Sequence, residues 1–242
     1  SEAVSQLEGL VSRAASKAQQ PPTPYTKSKG IENHSGVFRA EHNKNTLLVP
    51  AYDSNGALKT AQYLQADGKK RFAKGASKEG AFHVVGHGTP DALRKAPTIV
   101  VSEGYATAAT ITEALGHPTV AAFDSGNLMS VAKALHEKMP DKPIVIAGDD
   151  DVHQKNNPGR TKAEAAAKAV NGIAVFPTFT PADTARAKEA GKQLTDFNDL
   201  GSVNPEGKDV VKQQIATALE IANSNEIAPR TVERNRDQAI AM

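Results

Sequence analysis

The sequence predicts an α/β fold in which a parallel sheet with crossover helices follows a smaller β-rich module. Two β-branched apolar runs indicate buried strands, and acids follow each of them: Thr98–Val101 leads to Ser102-Glu103-Gly104, and Ile144–Gly148 leads to Asp149-Asp150-Asp151. Two helical segments and a third apolar run lie between them, an alternation typical of a parallel sheet. Earlier in the chain, two apolar runs flank a turn and indicate an antiparallel hairpin.

Length and composition restrict the class of protein. With 242 residues, the chain can bury a sizeable core as one large or two small domains. It contains no cysteine, which excludes zinc fingers, zinc ribbons, disulfides and thiol chemistry. No apolar run approaches the roughly 20 residues that span a bilayer, and the amino terminus lacks a signal-peptide pattern. We therefore expect an intracellular, cytoplasmic protein that does not contact membranes.

Charge is unevenly distributed, although the net charge is only +2. Between Lys59 and Lys78 there are six basic residues and one acid, Asp67, whereas residues 149–151 form an acidic block. This separation is typical of a protein that holds metal ions at one place and an anionic polymer at another. The basic residues are Lys59, Lys69, Lys70, Arg71, Lys74 and Lys78.

The amino-terminal part is predicted to contain a helix and then the β-rich module. Apolar residues at helical spacing predict a helix from residue 1 to about residue 20, which Pro21-Pro22-Thr23-Pro24 ends. Residues 25–36 carry polar, turn-like signals. We expect a helical arm over residues 1–24 and a basic, β-rich subdomain over residues 25–92. The predicted hairpin consists of strand Leu47–Tyr52, turn Asp53–Gly56 and strand Leu58–Leu64.

The α/β alternation begins near Ala92 and predicts four parallel strands flanked by helices. We expect this domain to occupy residues 93–180, with a carboxy-terminal extension over residues 181–222 and a polar tail over residues 223–242. The elements predicted after the first strand are helix Ala106–Leu115, strand Thr119–Phe123, helix Asn127–Lys138, strand Ile144–Gly148, loop Val152–Arg160, helix Lys162–Val170 capped by Thr161, strand Ile173–Phe176, and helices Ala182–Ala190 and Gly207–Ala222.

The acids that follow the strands are candidate catalytic and metal-binding residues. Because the carboxyl ends of parallel strands meet at one edge, Glu103, Asp149 and Asp151 are expected to converge. Residues i and i+2 share a side of an extended chain, so Asp150 is expected to point away. An ordinary turn explains Glu103 taken alone, and a helix cap or solvated loop explains the aspartates. Together on one sheet, these acids favour a site for a hard divalent cation such as magnesium.

The order strand, Glu-Gly, helix, strand, helix, strand, Asp-x-Asp, helix resembles the TOPRIM domain of topoisomerases and bacterial-type primases. The preceding segment resembles the amino-terminal subdomain of the primase catalytic core. The residues of the motifs are similar to those of the plasmid and phage branch of the bacterial DnaG-type primases, which is associated with conjugative DNA transfer. The motifs that carry these resemblances are Leu47–Pro50, Lys70–Gly75, Gly80–Gly86, Glu103–Ala108, Ala122–Leu128 and Thr195–Leu200.

This resemblance implies a DNA primase that makes short RNA primers on single-stranded DNA by metal-dependent nucleotidyl transfer. Glu103, Asp149 and Asp151 match the catalytic and metal-binding acids of the family. Asp199 or Asp196 is a candidate ligand for a further metal, and a cap or turn role is equally open. The resemblance implies Mg²⁺ or Mn²⁺ in a two-metal site, without zinc, and ribonucleoside triphosphates as substrates. Further partners would be a helicase, a relaxase or other replication or transfer domains.

The basic segment is expected to bind nucleic acid or a nucleotide. Lys69, Lys70, Arg71 and Lys74 match the primase segment whose cations neutralise template phosphates or the incoming triphosphate. The alternative is an edge strand on which lysines block aggregation.

Two rival functions remain open. A TOPRIM nuclease uses similar acids for hydrolysis, and a TOPRIM-like module binds DNA or a partner without turnover. A topoisomerase is disfavoured, since the four tyrosines lie in regions assigned otherwise. Complete primases usually carry an amino-terminal zinc-binding domain, which a chain without cysteine cannot build. The chain is therefore either an excised catalytic core or a protein whose priming depends on another domain or partner.

Overall fold

In the computed structural model, which describes residues 2–16 and 22–220, the chain forms two β-sheets with helices around them. The strands are Phe38–Arg39 (β1), Leu47–Tyr52 (β2), Leu58–Leu64 (β3), Lys70–Phe72 (β4), His83–Val84 (β5), Ile99–Ser102 (β6), Thr119–Ala121 (β7), Ile144–Ala147 (β8) and Ile173–Val175 (β9). The helices are Glu2–Ala15 (α1), Pro24–Lys29 (α2), Tyr105–Leu115 (α3), Leu128–Lys138 (α4), Pro158–Ala169 (α5), Pro181–Glu189 (α6), Phe197–Val203 (α7) and residues 208–220 (α8), and short 3-10 helices cover Pro90–Lys95 and Ser125–Asn127.

The first sheet is an antiparallel meander in the order β1-β2-β3-β4. The second sheet is mixed: β7, β6, β8 and β9 are parallel neighbours in that order, and β5 pairs antiparallel with β7. The predicted sheet did not include β5, because these two residues lie in the segment assigned to the amino-terminal module. That segment therefore contributes to both sheets, and the backbones of Tyr52 and Phe82 join them through reciprocal hydrogen bonds of 2.8 and 2.9 Å.

Helices cover both faces of the second sheet. One face packs against α4 and α5, and the other packs against α3, α7 and α8. Side chains of β6 alternate between these cores, with Ile99 and Val101 on the first face and Val100 on the second. Burial on both faces explains why β6 and β8 are continuous apolar runs in the sequence. The two strands therefore form a rigid support for the residues that follow them.

The pairing of β3 with β4 divides the basic segment between the two faces of the first sheet. Tyr63 lies opposite Arg71, and Leu64 lies opposite Lys70. Leu64 and Phe72 belong to the core that contacts α3, whereas Tyr63 packs in the cluster beneath α1. Because side chains alternate along a strand, Lys70 lies on the α3 side of the sheet and Arg71 lies on the α1 side.

Two helices depart from the predictions. Helix α2 occupies residues interpreted as turn-like, because Thr23 caps it, Pro24 is its first residue and Gly30 ends it with a left-handed φ of 62°. Helix α5 begins at Pro158 rather than Lys162. Asn157, not Thr161, is its cap: the Asn157 side chain accepts a hydrogen bond from the N–H of Arg160 at 3.3 Å.

Helix α1 ends at Ala15, before the predicted end at about residue 20, and residues 17–21 lie outside the described residues. The other predicted helices and strands are confirmed within a few residues of their expected ends. The predicted polar tail, residues 223–242, lies outside the described residues, as do Pro21 and the expected end of the last helix at Ala222. In the described part of the chain, no helix is both long enough and apolar enough to cross a membrane.

Candidate active site

Three neighbouring parallel strands end at the same edge of the second sheet, and acids follow each of them. The register places the last residue of β6 beside the last residues of β7 and β8. Asp124 follows β7, Glu103 follows β6, and Asp149 and Asp151 follow β8. The structure therefore brings the three sequence-predicted catalytic acids to one edge, with Asp124 beside them.

Burial and neighbouring charges raise the pKa values of two of these acids. Burial raises the pKa of the Glu103 carboxyl, the Lys70 ammonium opposes this rise, and the charges of Asp151 and Asp124 add to it. Burial also raises the pKa of Asp149, and the charges of Asp196, Glu103 and Asp151 raise it further. The site is thus a partly desolvated cluster of carboxyl groups, in which burial and neighbouring charges disfavour ionisation of Glu103 and Asp149.

Asp149 carries the clearest sign of a missing partner. Its Oδ1 is buried and accepts no hydrogen bond from any residue that the structure describes. An unpaired buried polar atom costs about 1–3 kcal/mol, so it needs an explanation. A carboxylate oxygen in an acidic cluster can be satisfied by a cation, which would also offset the repulsion.

Asp151 is held in place by the first turn of α5. The backbone N–H of Gly159 donates to Asp151 Oδ2 at 3.1 Å. A Cβ atom on residue 159 would lie 2.6 Å from the carbonyl oxygen of Asp149 and 2.8 Å from Asp151 Oδ2. Only glycine therefore lets the helix approach the acidic loop this closely.

Asp150 points away from the other acids, as its position between them predicts. Nε and Nη2 of Arg160 donate to its two oxygens at 3.0 and 2.9 Å, and Asn157 Nδ2 donates to Oδ1 at 2.6 Å. The Arg160 guanidinium also stacks 3.9 Å from the ring centroid of Phe176. Asp150 thus connects the loop to α5 and stabilises the backbone conformation of Asp149 and Asp151.

Two lysines from the amino-terminal segment reach the acidic edge. The Lys70 ammonium lies 3.8 Å from the point where a Cβ on Gly104 would stand, and it favours the ionised forms of Glu103 and Asp149. The Lys78 ammonium forms an ion pair with Asp124. Lys78 was counted in the basic segment but not predicted as a site residue, since only the tertiary fold places it beside Asp124.

The other predicted basic residues lie elsewhere. Lys69 pairs with Asp67 at 2.6 Å in an exposed turn. Arg71 and Lys74 line a cavity beneath α1, on the opposite face of the sheet from Lys70. The structure therefore does not bring the four predicted cations into one surface.

The motif at residues 195–200 contributes Asp196 rather than Asp199 to the cluster. Asp196 caps α7 by accepting the N–H of Asp199 at 2.8 Å, and its other oxygen accepts the Thr107 hydroxyl at 3.0 Å. Asp199 completes the capping box, because its Oδ2 accepts the N–H groups of Thr195 and Asp196 at 2.9 and 3.3 Å. Of the two acids, Asp196 is the one whose charge raises the pKa of Asp149.

The loop after β7 is backbone-strained and packed against β4. Phe123 has a φ of 75°, a left-handed conformation that is rare for a bulky residue. Its ring meets Phe72 edge to face with centroids 5.7 Å apart. Asn127 supports the same loop, because its side chain accepts the N–H of Gly80 and donates to the carbonyl of Ala122. These contacts position Asp124, which lies in the motif Ala122–Leu128 that the resemblance places near this sheet edge.

The carboxylates of this cluster are suitable ligands for a hard divalent cation. Carboxylate oxygens are the ligands that magnesium and manganese prefer, and Asp149 Oδ1 has no other partner. Among residues 2–16 and 22–220, however, no three His, Cys, Asp or Glu side chains are grouped closely enough to hold an ion together. Binding one cation by three of these carboxylates therefore requires them to move towards one another, and the cation would offset the repulsion between them.

Comparison with known proteins agrees with this geometry. Residues 98–209 match the family described as Toprim domain. The chain is 45% identical to DNA primase TraC of Escherichia coli over 88% of this chain and 26% of the relative. It therefore spans about a quarter of that relative's length.

Two solved structures share the fold. The primase fragment of the bacteriophage T7 primase-helicase protein has a TM-score of 0.53 and 17% identity, with 78% of this chain and 72% of that chain covered. The RNA polymerase domain of Mycobacterium tuberculosis primase DnaG has a TM-score of 0.50 and 17% identity, with coverages of 84% and 66%.

Proposed function

Because the chain contains a Toprim domain and is homologous to a segment of DNA primase TraC, we propose that it is the catalytic core of a plasmid-type DNA primase. It joins ribonucleoside triphosphates into short RNA primers on a single-stranded DNA template. The observation that carries this proposal is the convergence of Glu103, Asp149 and Asp151 at the end of two adjacent parallel strands, with one buried oxygen unpartnered.

In this proposal Glu103, Asp149 and Asp151 hold two Mg²⁺ or Mn²⁺ ions and no zinc. When bound, such ions activate the attacking 3′-hydroxyl and offset the charge of the pyrophosphate leaving group. Binding these ions brings the carboxylates closer together and offsets the repulsion between them. Asp199 stays a weaker candidate for a further ligand, because its carboxylate already serves the capping box.

Lys70 and Lys78 are the cations placed to contact the triphosphate or the template phosphates at this edge. Lys70 reaches the acids from β4, and Lys78 pairs with Asp124 while its ammonium lies 5.4 Å from the centroid of the Phe72 ring. Both come from the predicted amino-terminal subdomain, residues 25–92, whereas the acids come from the predicted Toprim domain, residues 93–180. Primer synthesis in this proposal occurs between the two.

Partners follow from the same reasoning. The similar phage structure is a fragment of a primase-helicase protein. We propose that a helicase, a relaxase or another replication or transfer domain acts beside this core and that template choice depends on it.

A primer-synthesis assay tests the function directly. The chain is incubated with single-stranded DNA, labelled ribonucleoside triphosphates and either magnesium or manganese, and products are resolved by length. Asp149→Asn and Asp151→Asn should abolish products and leave circular dichroism unchanged. Asp141→Asn, an exposed acid in the turn before β8, is the matched control and should retain full activity.

Each rival function gives a different result in this assay. A Toprim nuclease shortens the DNA in the presence of metal. A binding module retains the DNA but yields no product with either metal. Retained synthesis in both aspartate variants would show that these carboxylates do not hold the catalytic metal.

A further inference from the structure

The first sheet has a groove on its α1 side, opposite the face that carries Lys70. Two adjoining cavities of about 380 and 390 Å³ form it. Both are lined by Leu10 of α1, by Tyr63 of β3 and by His42. Neither the acidic cluster nor the lysines at the acidic edge line this groove.

We propose that this groove binds a nucleotide of the single-stranded DNA, with the base stacked on Tyr63 and its phosphates beside Arg71 and Lys74. This inference rests on the proposed function and adds a second contact for the template, on the opposite face of the sheet from the polymerising site.

The aromatic part of the groove is suited to a base. The Tyr63 ring is half-buried, because it packs in the cluster formed by α1 and the first sheet. The exposed His42 ring lies near it, with centroids 5.6 Å apart and planes inclined by 59°. Side chains of Leu10, Ala14 and Leu48 give the groove an apolar lining. Every base presents a π-face, so such a platform binds without reading sequence.

The charges around the groove are asymmetric and indicate where the phosphates lie. Arg71 and Lys74 line the cavity beside β4, and neither forms an ion pair within the described part of the chain. Glu41 lines the other cavity and is 3.5 Å from Arg13. An anion therefore favours the β4 end.

The register gives the spacing between base and phosphate. Arg71 is the cross-strand partner of Tyr63, and directly opposed side chains of an antiparallel pair lie about 5 Å apart at Cβ. A base on the Tyr63 ring thus places its own phosphate within reach of the guanidinium. An apolar peptide would fill the lining but leave both cations unpaired, so single-stranded DNA is the better occupant.

A fluorescent reporter tests the stacking. The chain has no tryptophan, so Tyr63→Trp creates a single indole in the groove. Titration with an oligo(dT) of about 16 nucleotides should quench its emission, and added salt should reverse the quenching. Lys133→Trp, at an exposed position of α4, is the control and should not respond.

Affinity measurements test the individual side chains. Tyr63→Leu should weaken oligo(dT) binding roughly 5- to 150-fold, whereas Tyr63→Phe, which keeps the ring, should stay within about 2-fold of the original protein. Arg71→Ala should weaken binding and lower the slope of log affinity against log salt by about 1, while Lys133→Ala should change neither. Thermal melts of each variant verify that it folds.

The outcomes separate this inference from the proposed function. If the chain makes primers but oligo(dT) neither quenches the indole at position 63 nor binds Tyr63→Leu more weakly, the groove does not bind DNA. The primase proposal would still stand. If oligo(dT) quenches the indole at position 63 but the chain makes no primers, the result supports DNA binding in the groove and contradicts the proposed polymerase activity. Equal losses for Tyr63→Phe and Tyr63→Leu would overturn stacking, because the phenyl ring would then contribute nothing.

Discussion

Replacing Gly159 with alanine tests whether close approach of α5 positions the loop that carries Asp149 and Asp151. In an exposed helix, this change stabilises by about 1 kcal/mol. Here the new methyl group would meet the Asp149 carbonyl at 2.6 Å and Asp151 Oδ2 at 2.8 Å, so the helix and loop must separate by at least ~0.5 Å. Overpacking of this kind costs about 1–3 kcal/mol, and contact with rigid backbone places it near the upper end. We expect a net loss of about 1–2 kcal/mol in the free energy of unfolding.

Catalysis should suffer more than stability. Functional groups must be held within about 0.5 Å of their productive positions, and a 1 Å displacement costs about 100-fold in rate. We therefore expect Gly159→Ala to lower primer synthesis at least ~10-fold at saturating magnesium. The measurements are urea unfolding and the initial rate of primer formation.

The matched control is Gly9→Ala in α1. A Cβ there meets only the flexible end of Arg13, at 3.3 Å. That variant should be up to about 1 kcal/mol more stable and equally active. If Gly159→Ala behaved like Gly9→Ala, with gained stability and undiminished synthesis, the close contact between α5 and the acidic loop would have no role in positioning Asp149 and Asp151.

Three other substitutions test single contacts. Asp150→Ala removes the partner of Arg160 and should lower the free energy of unfolding by about 1–3 kcal/mol, yet reduce primer synthesis less than Asp149→Asn does; equal losses of synthesis would place Asp150 among the ligands. Asp183 is buried, and hydrogen bonds to its carboxylate outweigh the opposing effect of burial and lower its pKa below the model-peptide value of 3.8. Asp183→Asn should therefore cost about 1–2 kcal/mol at pH 7, and the difference should shrink as the pH falls below about 4 in urea unfolding; an equal difference at about pH 2 would contradict this. Asn127→Ala leaves buried backbone groups unpaired and should lower the free energy of unfolding by about 2–4 kcal/mol. It should also accelerate hydrogen exchange in the loop after β7; unchanged exchange would show that the loop does not depend on Asn127.

Local patterns predicted the parallel strands of the second sheet and the helices between them within a few residues. The strands of the second sheet are continuous apolar runs because both of their faces are buried, and this pattern is visible without any tertiary information. Helix α2 was missed although Thr23, Pro24 and Gly30 are good boundary residues, since its polar composition resembles a turn. Strand β5 was not predicted, because two residues carry no periodicity and only pairing with β7 defines them as a strand.

The sequence by itself determined that Glu103, Asp149 and Asp151 would stand at one edge, because the carboxyl ends of adjacent parallel strands always meet. Only the tertiary structure decided which other residues join them. Lys70 and Lys78 reach this edge because the first sheet packs against α3. Asp196 and Asp199 share one capping box, and it is the charge of Asp196 that raises the pKa of Asp149. Such contacts depend on long-range packing, which no local spacing encodes.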